Sequence, residues 1–159
     1  NMLVMFENKI ISLTDSYREI SELKTKGKLD QIETLSDAEY RERYIAGLSA
    51  YQNGEFEKSL QVFNYLIDVN TDHDLADNCQ YWIGEVYYGM KNYKRSIKEF
   101  EKVFTFVGTN KDDDAKYKLG LCYVNIGNLN KAKEEFQDLL DRFPNSEYYQ
   151  KSKQYIQKI

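Results

Sequence analysis

The chain has 159 residues, of which 42% are hydrophobic and 30% are charged, and its formal net charge is −4. These values are typical of a protein with one or two small globular domains. No segment approaches the about 20 consecutive apolar residues that a bilayer-spanning helix needs, so the sequence predicts no membrane span. The mild acidity and the scattered lysines argue against a nucleic-acid partner, because nucleic-acid-binding proteins usually carry a clustered basic patch.

The first 26 residues carry an apolar side chain at every third or fourth position. This spacing predicts an N-terminal amphipathic, coiled-coil-like helix over residues 1–26, with one apolar seam. The seam consists of Leu3, Phe6, Ile10, Leu13, Tyr17 and Ile20. The seam is shorter than the three or four heptads typical of a coiled coil, so two interpretations stay open. Either it joins copies of the chain into a homo-oligomer, or it packs on the rest of the same chain.

Residues 27–36 break this spacing and predict a linker. At its end, Ser36 is followed three positions later by Glu39, which is the pattern of a capping box at a helix start. We therefore expect a helical domain over residues 37–159.

Three segments within 37–159 share one pattern, and their first tyrosines, Tyr44, Tyr81 and Tyr117, lie 37 and 36 residues apart. Each segment has a glycine three residues after the tyrosine, then a small residue, then a phenylalanine four positions beyond it. These residues are Gly47, Ser59 and Phe63; Gly84, Ser96 and Phe100; and Gly120, Ala132 and Phe136. Because the two small residues let antiparallel helices approach and the phenylalanine fills the wedge, each segment predicts a helical hairpin. The three hairpins are expected at about 40–72, 77–108 and 113–144.

The turns and the C-terminus complete this organisation. "QNGEF", "MKNYK" and "NIGNL" are the predicted tight turns, in which Gly54, Gly127 and Asn92 are expected to take a positive φ. Residues 145–159 predict a capping helix with Tyr148 and Ser152 facing the last hairpin, together with Tyr155 or Ile156. Stacked repeats need such a cap to cover the open end of their core.

This pattern resembles the tetratricopeptide repeat over about 37–143. The resemblance implies an all-α solenoid of three hairpins plus the capping helix, and a groove that binds a protein or peptide partner. The groove positions carried over are Arg41, Tyr44, Leu48, Tyr51, Gln52, Asn78, Tyr81, Glu85, Tyr88, Asp114, Tyr117, Leu121 and Asn125. Tyr44, Tyr81 and Tyr117 would form a ladder along it, although tyrosines at these positions would also serve to pack one repeat on the next. The lysines and arginines with which chaperone-tail-binding members hold a C-terminal carboxylate are missing from these positions.

The sequence predicts no enzyme, cofactor or metal site. The one histidine, His73, lies among Asp68, Asp72, Asp74 and Asp77, but the spacing fits no calcium loop and aspartates at a helix start are usually N-caps. Cys79 and Cys122 fall at positions of neighbouring hairpins that differ by about seven residues, or on the order of 10 Å along the helices. We therefore predict two free, mostly buried thiols.

A narrower resemblance concerns "LADNCQYWIGEVYYGMKNYKRSIKEFEKV" and the C-terminal "FPNSEYYQKSK". Both are similar to segments of the bacterial periplasmic Tol-Pal-associated cell-division coordinator family, whose members oligomerise through an N-terminal coiled coil. This resemblance implies a partner protein in the cell envelope and a periplasmic location after removal of an export signal, with the cytoplasm left open. The alternatives are an outer-membrane protein assembly factor of similar architecture and a purely structural oligomerisation module.

Overall fold

The structure, a computed structural model, describes residues 34–159. The predicted seam from Leu3 to Ile20 and residues 27–33 of the predicted linker lie outside the described residues. The described chain forms seven helices: α1 (Asp37–Gln52), α2 (Phe56–Val69), α3 (Ala76–Gly89), α4 (Tyr93–Val103), α5 (Asp112–Asn125), α6 (Leu129–Arg142) and α7 (Tyr149–Lys158). None of these helices is long and apolar enough to cross a membrane.

The start of α1 is set by the predicted capping box. The Ser36 hydroxyl accepts a hydrogen bond from the Glu39 backbone N–H (3.3 Å), and the Glu39 carboxylate accepts one from the Ser36 backbone N–H (2.9 Å). Two of the backbone N–H groups that a helix start leaves without partners are thereby satisfied.

The helices pair as three hairpins, α1 with α2, α3 with α4, and α5 with α6, and the glycines lie at the crossing points. A Cβ atom added to Gly84 would lie only 2.6 Å from the Phe100 ring. A Cβ atom added to Gly47 would be similarly close to the Phe63 ring. The small residue opposite also has a polar role, because the Ser96 hydroxyl donates to the Gly84 carbonyl (2.8 Å). Close approach and a buried hydrogen bond therefore both fix the crossing.

The turn within the second hairpin differs from the prediction. Gly54 and Gly127 take a φ of +77° as expected, but in the middle copy it is Lys91 that takes a positive φ, of +60°. Asn92 has a φ of −86°, because it is the N-cap of α4 and its side-chain oxygen accepts from the Arg95 backbone N–H (3.2 Å). The positive φ belongs to the residue aligned with the two glycines, and the asparagine is needed as a cap.

Neighbouring hairpins share one core. Phe63 and Leu66 of α2 are fully buried in a cluster with Cys79 and Ile83 of α3. Phe100 of α4 is buried in a second cluster that includes residues of α5. Since each hairpin buries its apolar side chains against the next one, the hairpins depend on one another for stability.

The C-terminal helix α7 covers the last hairpin. Ser152 is fully buried, and the Tyr155 ring stacks on Phe136 with centroids 5.0 Å apart. Tyr148, at the N-cap of α7, stacks on Tyr117 of α5 with centroids 4.6 Å apart. The predicted capping helix and its inward-facing residues are confirmed.

Both cysteines are free and buried, as predicted. Burial raises the pKa of Cys79 to about 12 and that of Cys122 to about 11. Both groups are therefore protonated thiols near neutral pH, and they serve as small core side chains rather than as nucleophiles.

Candidate functional site

All of the predicted groove positions fall on the first helices of the hairpins, α1, α3 and α5. They repeat with the spacing of the hairpins, so equivalent positions follow one another from α1 to α3 to α5. Two rows of these positions run across the three helices: the tyrosine ladder (Tyr44, Tyr81 and Tyr117) and a second row closer to the C-terminal ends of the same helices.

Tyr44 contacts the next hairpin. Its hydroxyl oxygen accepts a hydrogen bond from Trp82 Nε1 (2.9 Å), and its ring lies edge-on to Phe63 at 5.7 Å between centroids. The Trp82 indole also lies 5.2 Å from the Tyr51 ring and 5.9 Å from the Tyr81 ring. Trp82 is therefore the side chain around which the first and second hairpins meet.

Tyr81 presents almost no surface to a partner. Its side chain is buried, with 7% of the residue exposed, and its ring packs on Phe100 at 5.4 Å. Burial also raises the pKa of its phenol, so the hydroxyl stays neutral. Lys111, the residue before α5, covers the Tyr81 ring, and its ammonium group lies 5.7 Å from the ring centroid.

Tyr117 lies beneath α7. Besides its stacking on Tyr148, it meets the Tyr155 ring edge-on at 6.4 Å. Tyr44 and Tyr117 thus contact the next hairpin and the capping helix, and Tyr81 packs within the core of its own hairpin. These contacts support the alternative that the ladder tyrosines pack one repeat on the next. Their predicted role in binding stays a prediction.

The second row comprises Tyr51, Tyr88 and Asn125, one from each first helix, and we call it the open row. Tyr51 and Tyr88 are half-buried, and Asn125 is exposed. Asn125 Nδ2 donates to the Tyr88 hydroxyl oxygen (3.2 Å). Burial raises the pKa of Tyr51, and the charge of Glu85 adds to this effect. Leu48, Gln52 and Leu121 add further accessible positions on α1 and α5.

An ion pair lies beside the open row. Glu85 is buried, and Lys118 of α5 reaches both of its carboxylate oxygens at 2.8 and 2.9 Å. Burial raises the pKa of Glu85, and this effect exceeds the opposing attraction of the ammonium. Lys118 also lies 4.8 Å from the centroid of the Tyr88 ring. Lys118 is not among the predicted groove positions, because the sequence shows it only as a basic residue one repeat after Trp82.

The remaining cations at the predicted groove positions and beside them are also paired. Arg41 donates from Nε to Asp37 (3.0 Å) and from Nη2 to Asp74 (2.6 Å). Lys111 lies 3.5 Å from Asp114, a carboxylate that also accepts from the Tyr148 hydroxyl (2.9 Å). Asn78 is half-buried at the start of α3 and donates to Asp77. The positive charges in this region are thus engaged within the chain.

A second polar cluster lies at the loop between α2 and α3. The His73 ring stacks on Tyr40, with centroids 3.6 Å apart and planes at 9°, and its side chain is only 8% exposed. Asp37 Oδ1 lies 3.2 Å from Nε2, and Asp74 Oδ1 lies 3.0 Å from Nδ1. Asp37 comes from the first turn of α1, so a search of the sequence around His73 could not find it.

The same loop corrects one expectation about its aspartates. The N-cap of α3 is Leu75, which makes no side-chain capping bond, and Asp77 lies inside the first turn. Asp72 and Asp74 instead border a cleft of about 620 Å³ between this loop and residues 105–108. Val107 is fully exposed on the opposite wall.

Comparisons with known proteins agree with this architecture. Two family models described as "Tetratricopeptide repeat" match the chain, one over residues 78–106 and the other over residues 114–146. No curated protein matches the sequence.

Solved structures with the same fold include three with repeat domains of similar length. The Yersinia enterocolitica type III secretion chaperone SycD, in complex with a peptide of the translocator YopD, has a TM-score of 0.68 and 16% identity, covering 79% of this chain and 95% of that one. The N-terminal domain of stress-induced protein-1 from C. elegans has a TM-score of 0.61 and 20% identity, covering 73% and 93%. The first repeat domain of Spaghetti (RPAP3), bound to the HSP90 peptide SRMEEVD, has a TM-score of 0.61 and 11% identity, covering 79% and 94%.

Proposed function

Since the chain is a tetratricopeptide-repeat protein, we propose that it is a non-catalytic scaffold that binds a segment of a partner protein across α1, α3 and α5. Two of the similar structures, SycD and the RPAP3 domain, hold peptides of other proteins. Their low identity to this chain makes them examples of what the fold can do, and their peptides are not assigned to this chain.

The open row is the observation that carries this proposal. Tyr51, Tyr88 and Asn125 lie on three successive helices, and each keeps accessible surface, whereas Tyr81 in the middle of the ladder is buried. Tyrosine supplies a rigid ring and a polar hydroxyl at little cost in side-chain entropy, which is why it is frequent in protein-binding surfaces. The Asn125 side chain offers amide groups beside these rings.

The charges favour a partner segment that is recognised by apolar and neutral polar contacts. Arg41, Lys111 and Lys118 each have carboxylate partners within this chain. A free C-terminal carboxylate would have to compete with those partners, and displacing the buried Glu85 from Lys118 would leave an uncompensated charge. We therefore propose that an internal segment of the partner binds here and that its chain terminus is not the recognised feature.

The place of action is proposed from the sequence resemblance alone. Similarity to the Tol-Pal-associated coordinator family supports a role in the bacterial cell envelope and a periplasmic location. An outer-membrane assembly factor is the alternative of the same type, and it would use the same open row. Neither assignment changes the experiment that tests binding.

The test uses a peptide library displayed on phage and selected on the intact chain. Selected peptides are then measured against a variant with Tyr51→Ala, Tyr88→Ala and Asn125→Ala. We expect this variant to lose at least about tenfold in affinity, because truncating central aromatic contacts typically costs 1 kcal/mol or more for each residue.

The matched control carries Lys133→Ala and Gln137→Ala, two exposed positions on α6. It should bind the peptides as tightly as the unmodified chain. Circular dichroism must show that both variants are folded. Equal loss of affinity in both variants, or no loss in either, would place binding away from the open row.

A purely structural oligomerisation module is the second candidate, and the predicted seam is the feature that favours it. Light scattering on the intact chain and on a chain beginning at Leu35 measures the contribution of the N-terminal segment. If the seam joins copies, we expect a multiple of the chain mass only for the intact protein. One-chain masses for both proteins would contradict self-association through the seam.

A further inference from the structure

We propose that Asp37 and His73 bind a divalent transition-metal ion, with Asp74 supporting the imidazole from its other side. The three residues each offer one ligand atom, and these atoms lie within 4.8 Å of one another. Imidazole nitrogen together with carboxylate oxygen is a donor set suited to ions such as zinc and nickel. The site is separate from the open row, and the proposal does not depend on peptide binding.

His73 Nε2 is the observation that points to a ligand. The side chain is more than nine-tenths buried, and Nε2 makes no hydrogen bond with any residue that the structure describes. A buried polar atom without a well-aligned hydrogen bond costs free energy, so this arrangement requires an explanation. Nε2 faces Asp37 Oδ1 at 3.2 Å. Two atoms that each lie about 2.1 Å from one ion, at adjacent coordination positions, are separated by a distance of this size.

The surrounding residues hold the donors in place before any ion arrives. Stacking on Tyr40 fixes the plane of the His73 ring. Arg41 donates to the Oδ2 atoms of both carboxylates, which leaves both Oδ1 atoms directed at the imidazole. Groups that orient metal-binding carboxylates in this way are a regular part of metal sites. Two carboxylates and one guanidinium leave one negative charge beside the ring, so a cation is electrostatically favoured.

The proton balance assigns Asp74 its role. Without metal, Nδ1 accepts from the Leu75 backbone N–H (3.1 Å), so a neutral ring carries its proton on Nε2. Metal binding at Nε2 requires the ring proton on Nδ1, where Asp74 Oδ1, 3.0 Å away, accepts it. The Leu75 N–H loses its acceptor in this exchange. A carboxylate that holds the second nitrogen of a metal-binding histidine is the arrangement found in many zinc sites.

The ion would connect two hairpins. Asp37 lies in the first turn of α1, whereas His73 and Asp74 lie in the loop that leads into α3. Because the ion would bind the folded arrangement and not the separated segments, its binding should stabilise the domain in proportion to its concentration.

The experiment is calorimetric titration of the untagged intact chain with zinc chloride and, separately, nickel chloride. We expect saturable uptake of one ion per chain, and no uptake of magnesium, which prefers an octahedral shell of oxygen atoms. His73→Gln should weaken zinc binding at least about tenfold, and Asp37→Asn, which keeps the size of the side chain, should do the same. Asp72→Asn, in the same loop but outside the cluster, is the matched control and should bind zinc normally.

Nuclear magnetic resonance supplies a readout that does not depend on the variants. The chain has a single histidine, so its ring resonances are unambiguous, and zinc should shift them together with the Leu75 amide. If the unmodified chain shows no saturable binding, or if His73→Gln takes up zinc as tightly as the unmodified chain, the proposal is wrong. Zinc-dependent shifts that leave the His73 ring unchanged would also overturn it.

Discussion

Lys91 is the one described residue other than glycine with a positive φ, and its position is aligned with Gly54 and Gly127. A side chain with a Cβ atom is disfavoured in the left-handed region, because the Cβ approaches the following carbonyl oxygen. The hairpin nevertheless adopts the same turn in all three copies. The backbone of the second turn is therefore held by the helices on either side of it and not by its own preference.

Replacing Lys91 by glycine should stabilise the domain by about 0.5–1 kcal/mol, since relief of the left-handed conformation exceeds the entropy that glycine loses on folding. Urea denaturation of both proteins measures this difference. Lys98→Gly, at an exposed position inside α4, is the control and should destabilise by about 1 kcal/mol. A loss of stability in Lys91→Gly would show that the Lys91 side chain has a stabilising contact.

Gly84→Leu should destabilise the domain by about 1–3 kcal/mol, because its Cβ alone would lie 2.6 Å from the Phe100 ring and the crossing is tightly packed. The measurement is again the free energy of unfolding in urea. Combining Gly84→Leu with Phe100→Leu should cost less than the sum of the two single changes, since the smaller side chain gives the new one room. Additive costs would mean that the two residues are not in contact.

At the scale of helices, α3 and α5 are joined by the ion pair between Glu85 and Lys118. The burial of Glu85 raises its pKa in the folded state above the unfolded value. The folded state therefore holds the Glu85 proton more tightly than the unfolded state does. Its contribution to stability is fully present below the unfolded pKa and is lost as the pH rises through the folded pKa.

Glu85→Gln removes this dependence. The free energy of unfolding of the variant, minus that of the unmodified chain, should be more positive at pH 7 than at pH 4. At pH 7 only the unmodified chain has to keep a buried carboxylate ionised. Urea denaturation of both proteins at several pH values measures the difference and cancels the contribution of the other carboxylates. The opposite trend would show that attraction by Lys118 outweighs burial and lowers the pKa of Glu85.

The helices and hairpins could be predicted from the sequence because each is specified by residues close together in the chain. Ser36 with Glu39 marks a helix start, and Gly84 with Phe100 marks a crossing. The surroundings of a particular side chain could not be predicted in the same way. Tyr81 and Tyr88 lie on one face of one helix, yet Phe100 and Lys111 cover the first, while Tyr88 keeps accessible surface. The Lys111 contact depends on the conformation of the loop before α5, which has no repeating signal.

At the scale of the whole domain, α7 closes the end of the stack by covering Phe136 and Tyr117. A chain ending at Pro144 would expose both rings. Uncovering Phe136 alone should cost about 1.5–3 kcal/mol. We therefore expect a melting midpoint several degrees lower, together with association visible in light scattering.

Lys153→Ala, an exposed change on α7, is the control for this deletion and should leave both measurements unchanged. An unaltered midpoint in the shortened chain would show that the hairpins are stable without their cap.

The candidate sites could be predicted only in part for a related reason. The sequence placed the groove positions on the first helices, and all of them lie there. It could not distinguish the open row from the ladder, since Tyr51 and Tyr88 repeat with the same spacing as Tyr44 and Tyr81. The approach of Asp37 to His73 also could not be predicted from the sequence, because the two residues belong to different parts of the chain and meet only when the hairpins stack.

Trp82 is the only tryptophan in the chain, and it lies where the first hairpin meets the second, in contact with Tyr44 and Tyr51. The protein therefore contains its own optical probe of a single internal boundary. Its emission spectrum should shift when these two hairpins separate, whereas far-ultraviolet circular dichroism follows helix loss in every hairpin. Coincident transitions would mean that the domain melts as one cooperative unit, and an earlier fluorescence change would mean that this boundary opens first.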